Sequence, residues 1–351
     1  MKYNISVIPG DGIGNEVIPA SLKVLDVLSV QCGFELAYKQ YDYSCELYKK
    51  TAKMMPDDGI ERLRASDAIF LGAVGYPGVP DHISLWGLLI PIRRAFQQYV
   101  NLRPVRLLKG IQSPLRNPGE IDFMIVRENN EGEYSNVGGK IHEGTPYETV
   151  VQESIFTKMG VDRVMKYAYE LAETRGKKLT SATKSNGIIH TMTYWDERFT
   201  EMSKLYPGIE ISKYHIDILC AQFVQHPDWF DVVVASNLFG DILSDLGPAV
   251  VGGLGIAAGA NLNPEKAFPS MFEPVHGSAP DIAGSNIANP IASFWTAAMM
   301  LEHVGEKQAA LLLMEAIELC TEESLVLTRD LGGKASTTEV TAEIIKHIKS
   351  F

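Results

Sequence analysis

Two acids four residues apart, Asp241 and Asp245 in SNLFGDILSDLGP, are the residues of this chain best suited to holding a cation. On a helix, positions i and i+4 bring their Cβ atoms to about 5–6 Å, where two carboxylates repel unless a cation lies between them. Carboxylate oxygens select a hard divalent ion such as Mg²⁺ or Mn²⁺. The neighbours Phe239, Ile242, Leu243 and Leu246 are apolar, which argues against a freely solvated face. A bare DxxxD is nevertheless more often an acidic helix surface. A second set is cationic: Arg93 and Arg94, Arg103 in NLRPVR, and Arg127 directly after IDFMIV. Guanidinium groups grip carboxylates bidentately, so several that converge suit a dicarboxylate, whereas each alone is an ordinary ion-pair partner.

Lys184 in SATKSNG and Tyr134 in ENNEGEY are a candidate base and acid. A lysine held among cations and metal can have its pKa lowered enough to accept a proton near neutrality, and a tyrosine can return one to a developing carbanion. FEPVHGSAPDIAGSNIANP is a Gly- and Pro-punctuated loop ahead of the helical segment PIASFWTAAMML. Its backbone amides suit phosphates, and Asp281 suits the hydroxyls of a ribose.

These residues need a scaffold, and the chain reads as α/β, with short β-branched runs alternating with helical periods. Asn4–Ile8, Ala68–Leu71, Ile121–Val126, Leu179–Ala182 and Asp231–Ala235 are expected to be buried strands. One amphipathic helix places Val161, Val164, Met165, Ala168, Leu171 and Ala172 on one face, with Arg175-Gly176 as its stop. DVVVA feeding SNLFGD puts that loop at a strand's carboxyl end, where open α/β sheets bind ligands. The stretch from Glu131 to Val151 has a Gly pair, alternating residues and no helical period, so a projecting β-hairpin is expected there; a plain surface loop is the competing reading.

Composition narrows the function. At 351 residues, two domains are the natural expectation. A formal net charge of −11 repels phosphate backbones, so no nucleic-acid partner is expected. The four cysteines form no CxxC pair, which suits a reducing, cytoplasmic setting. The longest uncharged apolar stretch, Leu246 to Ala260, is shorter than the roughly 20 residues of a membrane span and is broken by Gly and Pro. IPGDGIGNEV resembles a dinucleotide fingerprint but fails it. Gly10, Gly12 and Gly14 alternate, the third glycine of G-x-G-x-x-G would fall at Asn15, and Glu35 alone is a loose ribose partner.

IPGDGIGNEV, NLRPVR, RENNEGEY, ATKSNG, NLFGDILSD and EPVHGSAPDIAG stand in an order that resembles the β-decarboxylating dehydrogenase family of isocitrate, 3-isopropylmalate, tartrate and D-malate dehydrogenases. The six segments span nearly the whole chain. The resemblance implies an isocitrate/isopropylmalate dehydrogenase-like fold, not a Rossmann fold, with two α/β domains. A large cofactor-binding domain would combine 1–99 and 252–351, and a small domain, 100–251, would carry a dimerisation arm at about 131–151. It implies a homodimer whose active sites are shared between subunits, and no membrane partner.

Carried over, Arg93, Arg103 and Arg127 would bind substrate carboxylates; the spacing of ten selects Arg93 over Arg94. Asp241 and Asp245 would hold Mn²⁺ or Mg²⁺ with Asp217 of HIDIL from the partner subunit, where Asp217 would also meet substrate. Lys184, likewise from the neighbour, would be the base and Tyr134 the acid. His276, Gly277, Ser278, Ala279, Asp281 and Asn289 would contact the cofactor. NADP enzymes of the family place a cation and a tyrosine after HG[ST]AP; Asp281 stands here and would repel a 2′-phosphate, so NAD is expected. K⁺ enters as a candidate activator.

Substrate choice rests on DHISLWGLLIPIRR. The acidic residue that isopropylmalate enzymes place seven positions before the first arginine is here Trp86, and the serine of isocitrate enzymes is here Gly87. Trp86 would fill the room an isopropyl group or a third carboxylate needs. The expected activity is therefore NAD- and metal-dependent oxidation of tartrate or D-malate, with decarboxylation of D-malate to pyruvate and CO₂. A 3-isopropylmalate dehydrogenase is the alternative. A non-catalytic regulatory subunit should have lost an ionisable catalytic residue, and Lys184, Tyr134, Asp217, Asp241 and Asp245 all remain. Pro91 is expected in the first turn of the helix carrying Arg93.

Overall fold

Apolar runs such as AIFLGA, buried at all six positions, can persist only inside a sheet covered on both faces. The computed structural model describes residues 1–351 and lays ten strands in one such sheet. Across it the order is Glu35–Gln40, Lys2–Gly10, Ala68–Ala73, Ser270–Phe272, Ala260–Leu262, Val100–Arg106, Asp122–Glu128, Val232–Ala235, Lys178–Thr183 and Glu210–His215. The first five strands come from 1–99 and 252–351, the last five from 100–251. Pairing is antiparallel from Ser270–Phe272 across to Asp122–Glu128 and parallel on both flanks. The glycine-rich stretch after the first strand meets no Rossmann order.

All five expected strands form, each within a few residues of its expected bounds; Asp231 lies just before Val232–Ala235, where its carboxylate accepts from Arg175. Five more were not anticipated. Glu35–Gln40 and Glu210–His215 are edge strands with no clean alternation, two strands have three residues each, and Val100–Arg106 carries Arg and Pro inside the sheet.

Helix Lys158–Thr174 buries Val161, Val164, Met165, Ala168 and Ala172, and Thr157 caps its start by accepting from the Gly160 N–H. Leu171 is only partly buried at its edge. One continuous apolar cluster runs beneath both halves of the sheet, and a smaller one around Ile8, Leu88, Ile92 and Phe96 anchors the helix that carries Arg93.

The hairpin forms as strands Gly138–Ile141 and Thr149–Gln152, every residue of both exposed. Its base extends beyond the expected bound: Gly132 bridges Ile155, so the arm returns near 155 and not 151. Pro91 stands at the start of helix Ile90–Ala95, directly after a π-helical turn, Leu85–Leu89. A proline cannot donate to the carbonyl four residues back and crowds it, which a widened turn relieves. Trp86 and Gly87 sit on that turn.

Candidate active site

The cationic centre is built from two antiparallel strands and one helix. Asn101 and Arg103 share a face of Val100–Arg106, because residues two apart on a strand point the same way, and the Arg103 Nε donates to Asn101 at 2.6 Å. Arg127, on the paired strand, lies against helix Asn237–Val251 over Gly240, where any Cβ would strike its side chain. Arg93 arrives from helix Ile90–Ala95 and donates from Nη2 to Glu273 at 2.6 Å. All three arginines are buried, at 6%, 6% and 3% exposure. Burial pulls the Arg103 pKa down to about 10, with Arg127 and Arg93 adding to the fall and Glu273 opposing it. Arg127 is lowered for the same first reason. Arg93 Nε and Arg103 Nη1 are buried with no hydrogen-bond partner. Unmatched buried donors on cations are expensive, and an anion would satisfy them.

Asp241 faces this cluster from helix Asn237–Val251, whose start is tied down by Glu133 accepting from Ser236 and from the Leu238 N–H. One Asp241 oxygen takes the Arg127 guanidinium and the other takes the Tyr134 hydroxyl at 2.6 Å. Burial pushes this carboxyl up, but Arg127 and the Tyr134 hydrogen bond outweigh it and hold it below the usual range. The Asp245 side chain, one turn on, makes no hydrogen bond or ion pair. Burial, then the Asp241 charge, holds it above the usual range. Two carboxylates that raise each other's cost of ionisation, one with no partner, form a donor set that fits a hard divalent ion. Burial, then the bond to Asp241, pushes Tyr134 up to about 12, so its hydroxyl holds its proton at neutral pH. Phe239 and Leu243 are buried as expected, whereas Ile242 beside the acids is 46% exposed.

Lys184 and Asp217 meet elsewhere. Lys184 follows strand Lys178–Thr183, Asp217 opens helix Ile216–Gln225, and their side chains pair at 2.7 Å. No hydrogen bond or ion pair joins this couple to the arginine cluster. Leu219 and Phe223 bury one side of the Asp217 helix, while Ile218 and Val224 are exposed, as are Ile188 and Ile189 beside Lys184.

The loop 273–289 closes over the end of the first strand. Ile13 donates to the Ser278 carbonyl at 2.8 Å, and a Cβ on Gly12 would collide with that carbonyl. The alternating glycines therefore serve close packing, with buried Asp11 accepting from the Cys45 and Gly75 N–H groups. The N–H groups of Gly277, Ser278 and Ala279 have no partner within the chain, and Ala279 adopts a left-handed φ of 38°. Such a run of free amides is an anion-binding concavity. Burial lowers the His276 pKa, and its Nε2 is buried without a partner. Asp281 is exposed. Asn289 caps Ile291 through its oxygen and donates to Asp330, which borders a cavity of about 550 Å³ with Gly252 and Leu331.

Trp86 is half-buried beneath Arg94, whose guanidinium lies 5.0 Å from the ring centroid and also donates to the Tyr134 carbonyl. Arg93 thus enters the buried cluster and Arg94 does not. Sequence reasoning passed over Glu273, Asn261 and Asp330. Glu273 stood in a segment already singled out, but only tertiary packing reveals that it offsets Arg93. The Asn101–Arg103 pairing follows only once Val100–Arg106 is known to be a strand.

A basic pocket with an acid pair beside it suits an anionic substrate, and the mixed sheet beneath it, with central strands running antiparallel, is not of the Rossmann type. Residues 4–348 match the isocitrate/isopropylmalate dehydrogenase family, and the chain belongs to it. It is 57% identical to D-malate dehydrogenase [decarboxylating] of Escherichia coli (strain K12), covering 98% of each chain. It is 55% identical to a tartrate dehydrogenase/decarboxylase of Pseudomonas putida, covering 98% of this chain and 97% of that one. Among solved structures, an isocitrate dehydrogenase from Methylococcus capsulatus superposes with a TM-score of 0.89 at 32% identity, covering 99% of both chains.

Proposed function

We propose that this chain oxidises a small 2-hydroxy dicarboxylate, D-malate or tartrate, and decarboxylates the D-malate product to pyruvate and CO₂. Three buried guanidiniums, two of them with unmatched donors, set against two carboxylates, carry this reading, together with the substrates that its relatives are named for. Arg93, Arg103 and Arg127 bind and orient the two carboxylates. Trp86 closes the side where a branched or third carboxylate arm would lie. Asp241 and Asp245 would hold a divalent ion, which would supply Lewis acidity, and segment 276–281 would hold a nicotinamide cofactor, which would supply the hydride acceptor. Lys184 Nζ takes the proton of the 2-hydroxyl. Tyr134 Oη delivers a proton to the carbon that has lost CO₂, a role for which a hydroxyl that stays protonated at neutral pH is suited. Asp281, exposed at the loop, favours NAD over a cofactor with a 2′-phosphate.

Lys184 and Asp217 act in the site of the partner subunit in a homodimer. Their separation from the arginine cluster, the exposed Ile188, Ile189, Ile218 and Ile242, and the fully exposed hairpin support this assembly. The domain boundary falls where Ala260–Leu262 pairs with Val100–Arg106, and 1–99 with 252–351 forms the cofactor domain. No helix is long and apolar enough to cross a membrane, and four free cysteines suit a cytoplasmic location.

Initial rates with NAD⁺, Mn²⁺ and K⁺ against D-malate, tartrate isomers, 3-isopropylmalate and isocitrate test the assignment. D-malate or a tartrate turns over fastest, and Trp86→Ala raises the relative rate with 3-isopropylmalate. Faster turnover of 3-isopropylmalate by the native enzyme would overturn it.

A further inference from the structure

The C-terminal helix Thr337–Ser350 packs against helix Lys307–Glu323, and their meeting point gathers Glu323, Glu343 and His347. Glu343 and His347 stand at i and i+4 on one helix face; Glu323 ends the neighbouring helix. The ring of His347 is buried, at 6% exposure, with its Nε2 aimed between the acids at 3.4 Å from Glu343 and 3.6 Å from Glu323. That nitrogen makes no hydrogen bond. A buried polar atom without a partner calls for an explanation, and two carboxylate oxygens at these separations supply one.

We propose that Glu323, Glu343 and His347 form a second divalent-ion site, for a borderline ion of the Zn²⁺ type, joining the C-terminal helix to the one before it. With ligand distances of about 2.1 Å on each side, separations of 3.4 and 3.6 Å give angles of roughly 110–120° at the ion, close to tetrahedral. Three protein ligands leave a fourth position for water. Imidazole favours Zn²⁺, Co²⁺ or Ni²⁺ over Mg²⁺, so this site differs in preference from the oxygen-only pair at Asp241 and Asp245. Lys346 now bonds Glu343 at 2.6 Å, but its side chain is 71% exposed and is free to swing into solvent when the ion binds.

The test is equilibrium dialysis of the full-length enzyme against Zn²⁺ in saturating Mg²⁺, with thermal melting and Mg²⁺-supported turnover in parallel. The wild type and Asp245→Asn are each expected to retain one Zn²⁺ per chain and to melt higher with it. His347→Gln should weaken that binding about tenfold or more and abolish the melting shift, while turnover is unchanged. Glu323→Gln, at a half-exposed helix end, guards against a folding failure and should weaken binding similarly. Absence of Zn²⁺ binding, or affinity that falls only in Asp245→Asn, would overturn the proposal.

Discussion

Replacing Glu273 by Gln keeps the size of the side chain and removes one negative charge from beneath the arginines. Glu273 is 5% exposed, accepts from Arg93 at 2.6 Å and from Asn261 at 2.8 Å, and is held ionised against burial by Arg93 and Arg103. Removing one partner of a buried ion pair costs about 3–5 kcal/mol, because the other charge stays buried and uncompensated. Gln still accepts a hydrogen bond, which places the loss near 3 kcal/mol at the lower end of that range. In a chain of 351 residues this lowers Tm by about 4 °C. A bound dicarboxylate returns negative charge to the same cations. The gap between variant and wild type should therefore narrow when tartrate replaces chloride at equal ionic strength, read by circular-dichroism melting. A variant as stable as the wild type would refute the compensation. A gap indifferent to tartrate would refute the convergence of the arginines on a dianion.

Asp245→Asn should raise the Mn²⁺ concentration for half-maximal rate by about tenfold or more. The melting temperature should hold, since Asp245 makes no stabilising bond and its charge is disfavoured by Asp241. Glu128, fully buried beside Arg127, is pushed up to about 7 by burial, against two backbone N–H bonds that favour its charge. Its native pKa lies above the unfolded value, so its penalty is absent at acid pH and grows as pH rises toward 7, reaching roughly 3 kcal/mol. The wild type should lose stability relative to Glu128→Gln between pH 5 and 7.5 in urea titrations. A constant difference across that window would exclude a raised Glu128.

Residues of the candidate site were legible because strong local signals surround them. Asp241 and Asp245 follow a β-branched strand and fall on one helix face, and Arg127 ends a strand whose apolar run is unmistakable. The hairpin showed itself through the Gly138–Gly139 pair and the lack of a helical period. What escaped depends on tertiary context. Arg103 and Pro104 interrupt the pattern of Val100–Arg106, a strand recognisable only from the partners on either side of it. Glu210–His215 and Glu35–Gln40 are sheet edges whose outer residues meet water, so period-2 patterning is weak. Glu273 could be quoted within a motif, yet its place beneath Arg93 depends on two segments 180 residues apart coming together. Likewise, the π-turn that sets Trp86 became visible only once Pro91 had a helix to distort.

The proposed sharing of the active site between subunits is open to one direct measurement. Lys184→Met and Tyr134→Phe, each inactive alone, are unfolded together in equal amounts and refolded, and D-malate oxidation is measured. If Lys184 serves the partner's site, each mixed dimer has one site with both lesions and one with neither. Half the dimers are mixed, so activity should return to about a quarter of the wild-type value. If Lys184 served the site of its own chain, every site would keep one lesion, and no recovery above the single variants would contradict the account.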